Sequence, residues 1–327
     1  MRDKDRDSFL FLSLIFSKRG EMNTLFNIFE RKDNSKYDHK PDCQIPIYGM
    51  YHIFCTDGWN ELVRLQIEHL KESRLLEHTT MLYISCITKN PETDVKTITD
   101  ICGTEKIKFV SISSDAQRYE FPALQFIKEK SAEENCLFYY FHTKGVSYHA
   151  KKNGDKEFTR YKRYMEAWRE MMEYFIFDKW QVAVNALLDG YDAYGCFRMP
   201  PPPQRFRMFA GNFWWARSGY IKQLPELNDP EKLKDRYYAE EWIYLKIQRP
   251  YSAFDTVVDP YYVEIPRCIY QDKKPTLWQI AVYWWKYSFY KFKKYVLKRD
   301  YTLYVQRKFQ QKAETEVGAY QQNTQND

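Results

Sequence analysis

Four apolar runs between residues 47 and 141 constrain the fold of this chain more than any other feature of its sequence. They are rich in β-branched and aromatic residues and occupy positions 47–54, 79–87, 106–112 and 136–141. Continuous apolar runs of this length are typical of strands that are buried on both faces. Stretches with apolar residues at helical spacing separate the runs, and this alternation is typical of parallel βαβ units. We therefore predict an α/β fold with a mixed, mainly parallel sheet flanked by helices.

The rest of the chain divides into regions of different character. Of the 327 residues, 44% are hydrophobic, which is enough for a large core, and no apolar run is long enough to span a membrane. Residues 1–21 carry a short apolar stretch behind a charged start and precede Met22, so we interpret them as a start-site extension or a loosely attached helix. The expected regions are 1–44 (N-terminal extension and linker), 45–270 (main domain), 271–309 (basic amphipathic C-terminal helical extension) and 310–327 (disordered Gln-rich tail).

The second half of the main domain has more helical patterns than the first. A run of four prolines at 200–203 predicts an extended, rigid segment. Helices are expected near 158–175, 178–188 and 235–248, and strands near 191–197 and 210–216.

Cysteine usage bears on the compartment and on metal binding. The seven cysteines are scattered, odd in number and form no C-x-x-C pair. This pattern argues against a zinc site and against a secreted disulfide framework. We therefore expect free thiols in a reducing, cytoplasmic compartment.

The net charge of +6 arises from one segment near the C-terminus, which carries +7 by itself. Residues 276–309 hold eight Lys or Arg and one acid. If the segment is helical, one face forms an apolar stripe of Trp278, Val282, Trp285, Phe289, Phe292 and Val296, with Lys286, Lys291, Lys294 and Lys298 on the other side. Such a pattern favours a helix lying on an anionic membrane surface, here the inner face of the cell membrane. One alternative is that the stripe packs on the domain; nucleic-acid binding is disfavoured because the rest of the chain sums to −1.

Two sequence motifs follow predicted strands at the places where open α/β sheets bind ligands. Thr56-Asp57-Gly58 follows the first strand, and a carboxylate there can bind a ribose or a base edge. His142, Thr143, Lys144 and Gly145 follow the fourth, where the histidine and the lysine can meet a diphosphate and backbone N–H groups near Gly145 can add donors. The competing interpretation of His142 is an ordinary hydrogen-bonded histidine at a strand end. No P-loop or dinucleotide fingerprint is present.

Two further stretches carry candidate binding and catalytic groups. In the segment 210–218, Trp214 and Trp215 can stack on a sugar while Asn212 and Arg217 bond its hydroxyls. Strand alternation would bury one of the two tryptophans and leave the other for a ligand. Glu240 and Glu241 lie about 100° apart on a predicted helix, so only one can face a given cleft and act as a general base. The alternative is solvated surface charge.

Together these motifs resemble bacterial glycosyltransferases of the GT-A type that build capsular or O-antigen polysaccharide. The resemblance covers residues 45–270 and rests on HTKG, AGNFWWARS and the AE-x-W helix. It implies a Rossmann-like GT-A domain, a nucleotide-sugar donor at Thr56, Asp57, His142, Lys144 and Gly145, and a glycan or lipid-linked glycan acceptor at Asn212, Trp214, Trp215 and Arg217. It also implies that Glu240 deprotonates the acceptor hydroxyl in a hexosyl transfer, with Glu241 as the second candidate. Inversion of the anomeric centre is the expected outcome, and retention stays open as the alternative.

The sequence departs from the resembled family at the metal site. Such enzymes usually carry Asp-x-Asp after the fourth strand, where this chain has His142-Thr143-Lys144. A divalent cation, Mn²⁺ or Mg²⁺, therefore stays an open expectation, with cationic side chains as the alternative. The competing functions are a non-catalytic carbohydrate-binding module and a membrane-associated scaffold protein.

Overall fold

The structure, a computed structural model, describes residues 28–151, 155–199 and 207–298. The predictions for residues 1–27, for the proline run and for the chain from residue 299 onward lie outside the described residues.

Eleven strands and eleven helices are present in the described part of the chain. The strands are β1 (Phe29–Arg31), β2 (Ile47–Phe54), β3 (Met81–Ile87), β4 (Ile107–Ser113), β5 (Leu137–His142), β6 (Ala193–Gly195), β7 (Arg198–Met199), β8 (Met208–Phe209), β9 (Trp214–Arg217), β10 (Pro250–Ser252) and β11 (Phe254–Thr256). The helices are α1 (Trp59–Glu72), α2 (Leu75–His78), α3 (Pro91–Cys102), α4 (Phe121–Glu133), α5 (Val146–His149), α6 (Lys156–Glu173), α7 (Trp180–Leu188), α8 (Ser218–Ile221), α9 (Arg236–Glu241), α10 (Arg267–Tyr270) and α11 (Leu277–Tyr295). A π-helical turn, Tyr174–Asp178, joins α6 to α7.

The central sheet has seven strands in the order β10-β6-β9-β5-β2-β3-β4. All of its neighbours pair in parallel except β9, which runs antiparallel to both β5 and β6. The chain moves from β2 outward to β3 and β4 and then returns to place β5 on the other side of β2. The prediction of a mixed, mainly parallel α/β sheet is thereby confirmed, and the strand order reverses between β2 and β5.

Both faces of the sheet are covered, which explains the continuous apolar strands. Along β5, Tyr139 and Phe141 point into one core cluster, and Phe138 and Tyr140 point into the other. Helices α6 and α7 cover the first face, whereas α4, α8 and α9 cover the second. When both faces of a strand are buried, apolar residues occupy successive positions and do not alternate with polar ones.

Residues 28–39, within the segment expected to be a linker, pack on the domain. Strand β1 pairs antiparallel with β11, and Tyr37 is buried, with its hydroxyl bonded to Asp189 Oδ2 at 2.5 Å. Arg31 donates to the carbonyl oxygens of Asp272 and Lys273, so this segment also contacts the start of the C-terminal extension. Isolated apolar residues in a polar stretch gave no periodic signal for these contacts.

The last described helix, α11, begins with a capping box in which Thr276 accepts from the Gln279 backbone N–H while the Gln279 side chain accepts from Thr276. It rests on the domain through Tyr283, which is fully buried. In the ranges that the structure describes, no helix combines the length and apolar character needed to cross a bilayer.

Candidate functional site

A cavity of about 280 Å³ opens at the carboxyl ends of β2 and β5, where the strand order reverses. Open α/β sheets bind ligands at such switch points, because the loops from the two strands diverge there. Because β9 runs antiparallel, its first residues lie at this same edge of the sheet. Seven of the polar side chains that line the cavity come from distant parts of the chain: His52, Glu120, His142, Lys144, Arg236, Glu240 and Tyr261.

His142 ends β5 and contributes a neutral imidazole to the cavity. Its Nε2 lies 3.0 Å from the carbonyl oxygen of Gly211, and since a carbonyl only accepts, Nε2 carries the proton. Burial, with Lys144 adding to it, lowers the pKa of His142 to about 4. At neutral pH, Nδ1 is therefore unprotonated and the imidazole is neutral. His142 supplies no positive charge for an anionic ligand.

The turn before β9 contacts both His142 and Glu120. Gly211 (φ +69°) and Asn212 (φ +61°) both adopt left-handed backbone conformations, and a Cβ on Gly211 would collide with the Met172 sulfur. The buried Asn212 side chain then donates from Nδ2 to Glu120 Oε2 at 2.5 Å and accepts at Oδ1 from Trp214 Nε1 at 3.0 Å. Asn212 thus fixes the Glu120 carboxylate instead of presenting its amide to the cavity.

Two carboxylates and two cations meet in the cavity. Arg236 Nη2 lies 3.9 Å from Glu240 Oε1, one turn apart on α9. Burial raises the pKa of the Glu240 carboxyl; the charge of Lys144 opposes that rise, and the charge of Glu120 adds to it. Burial also lowers the pKa of Lys144, against the effect of Glu240. Titratable groups perturbed by burial and by one another in a cleft are typical of a functional site.

Lys144 is positioned by aromatic side chains as well as by charge. Its Nζ lies 4.5 Å from the centre of the Trp168 ring and 6.0 Å from that of Tyr261. Contacts of an ammonium with ring faces stabilise the cation without neutralising it. The two rings therefore favour the charged form of Lys144 at the cavity wall.

The glycines of the two strand-end motifs have backbone roles. Gly145 (φ +78°) precedes α5 and Gly58 (φ +74°) precedes α1, in the left-handed region that favours glycine. Thr143 Oγ1 accepts from the Phe54 backbone N–H at 3.0 Å and ties the end of β5 to β2. Gly145 lines the cavity, whereas Thr56 and Asp57 lie beside it at the end of β2 and do not line it.

The expectation that one of the two tryptophans is free for a ligand is wrong. Trp214 and Trp215 are both fully buried. Trp214 stacks on Tyr140 on one face of the sheet, while Trp215 packs on Tyr139 on the other and donates from Nε1 to the Ile176 carbonyl. Alternation along β9 does separate them, but helices cover both faces, so each fills a core.

Arg217 and Glu241 are also placed away from the cavity. Arg217 pairs with Leu137 at the start of β5, which is the opposite edge of the sheet, and binds Asp192 at 2.6 Å. Its predicted contact with an acceptor is therefore wrong for this cavity. Glu241 is partly exposed and does not line the cavity, because it lies one helical step from Glu240.

Four of the seven polar residues named above were missed by sequence reasoning, and the first, His52, lies inside the run 47–54 that was interpreted only as a strand. Glu120 follows β4 and immediately precedes α4, so the rule that ligands bind beyond strand ends could have found it. Arg236 lies four residues before Glu240, a spacing that places both on one helix face. Tyr261 follows no periodic element, and no pattern pointed to it.

The described residues contain no cluster of three or more His, Cys, Asp or Glu side chains arranged to hold a metal ion. Glu120 and Glu240 are oxygen donors at the cavity wall, but each is engaged with an amide or a cation. The predicted divalent cation thus has no preformed ligand set in this part of the chain.

The fold and the cavity define an α/β protein with a polar, charged pocket at the switch point of its sheet. Residues 50–256 match the family described as Domain of unknown function (DUF8361), and this match covers well over half of the chain. The chain therefore belongs to that family. A comparison with curated proteins finds no match.

Proposed function

We propose that this protein is a glycosyltransferase that moves a sugar from a nucleotide-sugar donor to a hydroxyl of a lipid-linked glycan acceptor in surface polysaccharide synthesis, at the cytoplasmic face of the membrane. One observation carries the proposal: the Glu240 carboxylate faces Lys144 and Arg236 in the switch-point cavity. That arrangement supplies a base and two cations, which are what the displacement of a diphosphate by a hydroxyl requires.

Glu240 acts as the general base in the proposed reaction. Its carboxylate takes the proton of the acceptor hydroxyl as the hydroxyl oxygen bonds to the anomeric carbon of the donor. The bond from that carbon to the diphosphate oxygen breaks, and the nucleoside diphosphate leaves with the electron pair. A single displacement of this kind inverts the anomeric centre. Burial raises the pKa of Glu240, which makes its carboxylate a stronger base than that of an ordinary glutamate.

Lys144 and Arg236 meet the charge of the departing diphosphate. Burial in the cavity lowers the pKa of Lys144. An anion that binds beside it stabilises the charged form of the lysine, and the charged lysine in turn stabilises the bound anion. Cationic side chains of this kind can stabilise a leaving phosphate group directly. Whether a divalent cation assists them is decided by including Mn²⁺ in the assay below.

The size of the cavity bears on how the donor would lie. At about 280 Å³ it is at the small end of ligand pockets, which start at roughly 300 Å³, and it suits the reacting sugar and diphosphate. The nucleoside would extend along the sheet edge toward Thr56 and Asp57. The alternative of a carbohydrate-binding module loses its main support, because both tryptophans are buried.

The test is a thermal-shift screen of nucleotide sugars with and without Mn²⁺, followed by transfer assays with the donor found. A ligand at 100 times its dissociation constant adds about 2.7 kcal/mol to the free energy of unfolding. Glu240→Gln should lower kcat by about 10²-fold or more, while the matched variant of its neighbour, Glu241→Gln, should stay within about twofold. Failure of every nucleotide sugar to bind, or full activity of Glu240→Gln, would overturn the proposal.

A further inference from the structure

The outer face of α11 is a continuous apolar surface that the domain leaves uncovered in the described structure. The exposed fractions are 76% for Trp278, 60% for Trp285, 41% for Phe289, 40% for Phe292 and 57% for Val296. These are five of the six residues of the apolar stripe, and Trp285 and Phe289 stack with ring centres 5.4 Å apart. Scattered exposed apolar residues are ordinary, but a contiguous aromatic patch marks an interaction surface.

The opposite face of α11 fixes which way the stripe points. Tyr283 is fully buried against the domain and stacks obliquely on Phe29, while Tyr290 stacks on Tyr262 at 5.1 Å. Lys294 lies over the Tyr262 ring on the same side. The helix is therefore held by its tyrosine face, so the stripe does not serve to attach the helix to the domain.

The charge of α11 favours one kind of partner over the others. The helix contains no acidic residue and four lysines, of which Lys286 is exposed and Lys293 lies 4.4 Å above the Phe289 ring beside the stripe. A second copy of the helix would bring like charges together. An anionic lipid surface satisfies both features, because it accepts the aromatic rings at the level of its headgroups and attracts the lysines.

We propose that α11 docks this protein on an anionic membrane, lying in the plane of the bilayer with the apolar stripe in the interface. Its 19 residues give the stripe a length of about 28 Å. Tyr262, which stacks on α11, directly follows Tyr261 of the cavity wall. Where the proposed function holds, this connection places the cavity close to the membrane surface that carries a lipid-linked acceptor.

Membrane docking is tested on the full chain without any substrate, which separates it from the proposed function. Co-sedimentation is measured with vesicles of phosphatidylcholine and phosphatidylglycerol at about 7:3 and with phosphatidylcholine alone. The triple variant Trp278→Ser, Trp285→Ser, Phe289→Ser should lose at least tenfold in partitioning. The matched control, Leu65→Ser with Leu188→Ser, removes exposed apolar side chains elsewhere and should partition as the wild type does.

Substitution of the lysines tests the same proposal independently of the aromatic residues. Lys286→Gln and Lys293→Gln should each weaken binding to the anionic vesicles about fivefold, since one lysine near such a surface contributes about 1 kcal/mol, and neither should affect binding to pure phosphatidylcholine. Unchanged binding of the triple variant overturns the proposal. So does a wild-type dimer, seen by sedimentation velocity without lipid, that the triple variant converts to monomer, because the stripe would then be a self-association surface.

Discussion

The side-chain amide of Asn212 makes two hydrogen bonds, one to Glu120 and one to Trp214. Its donor group holds Glu120 and its acceptor group takes the indole N–H of Trp214. The sequence motif was interpreted as a sugar-binding surface, but Gly211 and Asn212 contact His142 and Glu120 of the cavity wall, and Trp214 and Trp215 fill the cores on the two faces of the sheet. A buried polar residue that satisfies several partners positions those partners strictly, because any unpaired group in the interior is costly.

At the residue scale, the pH dependence of the proposed reaction follows from the charges around Glu240. Its carboxylate must be ionised to act as a base, so kcat/KM should fall as pH drops through a pKa that lies above the ordinary value of 4.5. Glu120→Gln removes a negative neighbour and should move this acidic limb to lower pH. Lys144→Met removes a positive neighbour and should move it to higher pH.

The measurement is the pH profile of kcat/KM for the wild type and both variants. Both residues line the cavity, so the absolute rates of the variants will fall, and only the position of the acidic limb is compared. Shifts of the two limbs in the same direction, or no shift in either, would show that Glu240 is not the group that titrates.

At the scale of elements, Gly58 and Gly145 form a natural pair for testing how the loop after β2 is packed. Both have left-handed backbones before a helix, yet a Cβ on Gly58 would collide with the Ala150 Cβ, whereas one on Gly145 would meet Met165 at an ordinary 3.7 Å. Gly145→Ala should cost about 1–2 kcal/mol of strain. Gly58→Ala should cost about 1–3 kcal/mol more, because of overpacking.

A double-mutant cycle isolates the collision. In Gly58→Ala combined with Ala150→Gly, the nearest atom to the new Cβ becomes the backbone Cα of residue 150 at 3.3 Å, so most of the extra cost should be recovered. Chemical denaturation gives the four free energies. Simple additivity of the two substitutions would mean that these two loops do not contact each other as described.

The sequence predicted the strands well because both faces of the sheet are covered. A continuous apolar run such as 47–54, flanked by stretches of helical spacing, strongly favours a buried strand. Strand β2 has the same bounds, 47–54, in the structure. The interpretation of Trp214 and Trp215 was wrong for the same reason, because helices cover both faces of the sheet. Two adjacent tryptophans give the same sequence pattern whether they line a cleft or fill a core. For the site, His142, Lys144, Gly145 and Glu240 were identified because they follow strands or lie on a short helix. Glu120 and Arg236 had sequence signals of the same kinds, but nothing in the sequence indicated that these two residues meet in one cavity.

At the scale of the whole molecule, a buried ionic network joins the helices that cover one face of the sheet. His69 of α1 contacts Glu173 of α6 at 3.4 Å and Asp178 of the π-helical turn at 3.1 Å. Gln66 donates to Glu173 at 2.7 Å and accepts from Tyr51 of β2 at 2.6 Å. The network therefore connects the sheet to three helical segments in one set of contacts.

This network predicts how stability depends on pH. Burial opposes the charge on His69, but hydrogen bonds to Asp178 and Glu173 outweigh it and raise its pKa from 6.5 to about 9. A pKa raised by folding gives stabilisation that is complete below about pH 6.5 and is lost as pH rises to about 9. With a quarter of the side chain exposed, the loss should be about 1–3 kcal/mol.

The comparison is the free energy of unfolding of the wild type and His69→Gln, measured by denaturant titration from pH 6 to pH 10. The difference between the two proteins should be largest at the acidic end and shrink across the interval from 6.5 to 9. A constant difference across that interval would mean that His69 is neutral in the folded protein.

The antiparallel insertion of β9 between β5 and β6 makes the cavity depend on contacts between residues that lie far apart in the chain. The contact from His142 to Gly211 spans 69 positions of the chain, and the one from Glu120 to Asn212 spans 92. Contacts with such separations form only after the intervening loops have closed. A fragment that ends before β9 could hold the first four parallel strands and still lack the wall that orients Glu120 and His142. Ligand binding would thus report completion of the entire sheet, and it can serve as an all-or-none probe of correctly folded molecules.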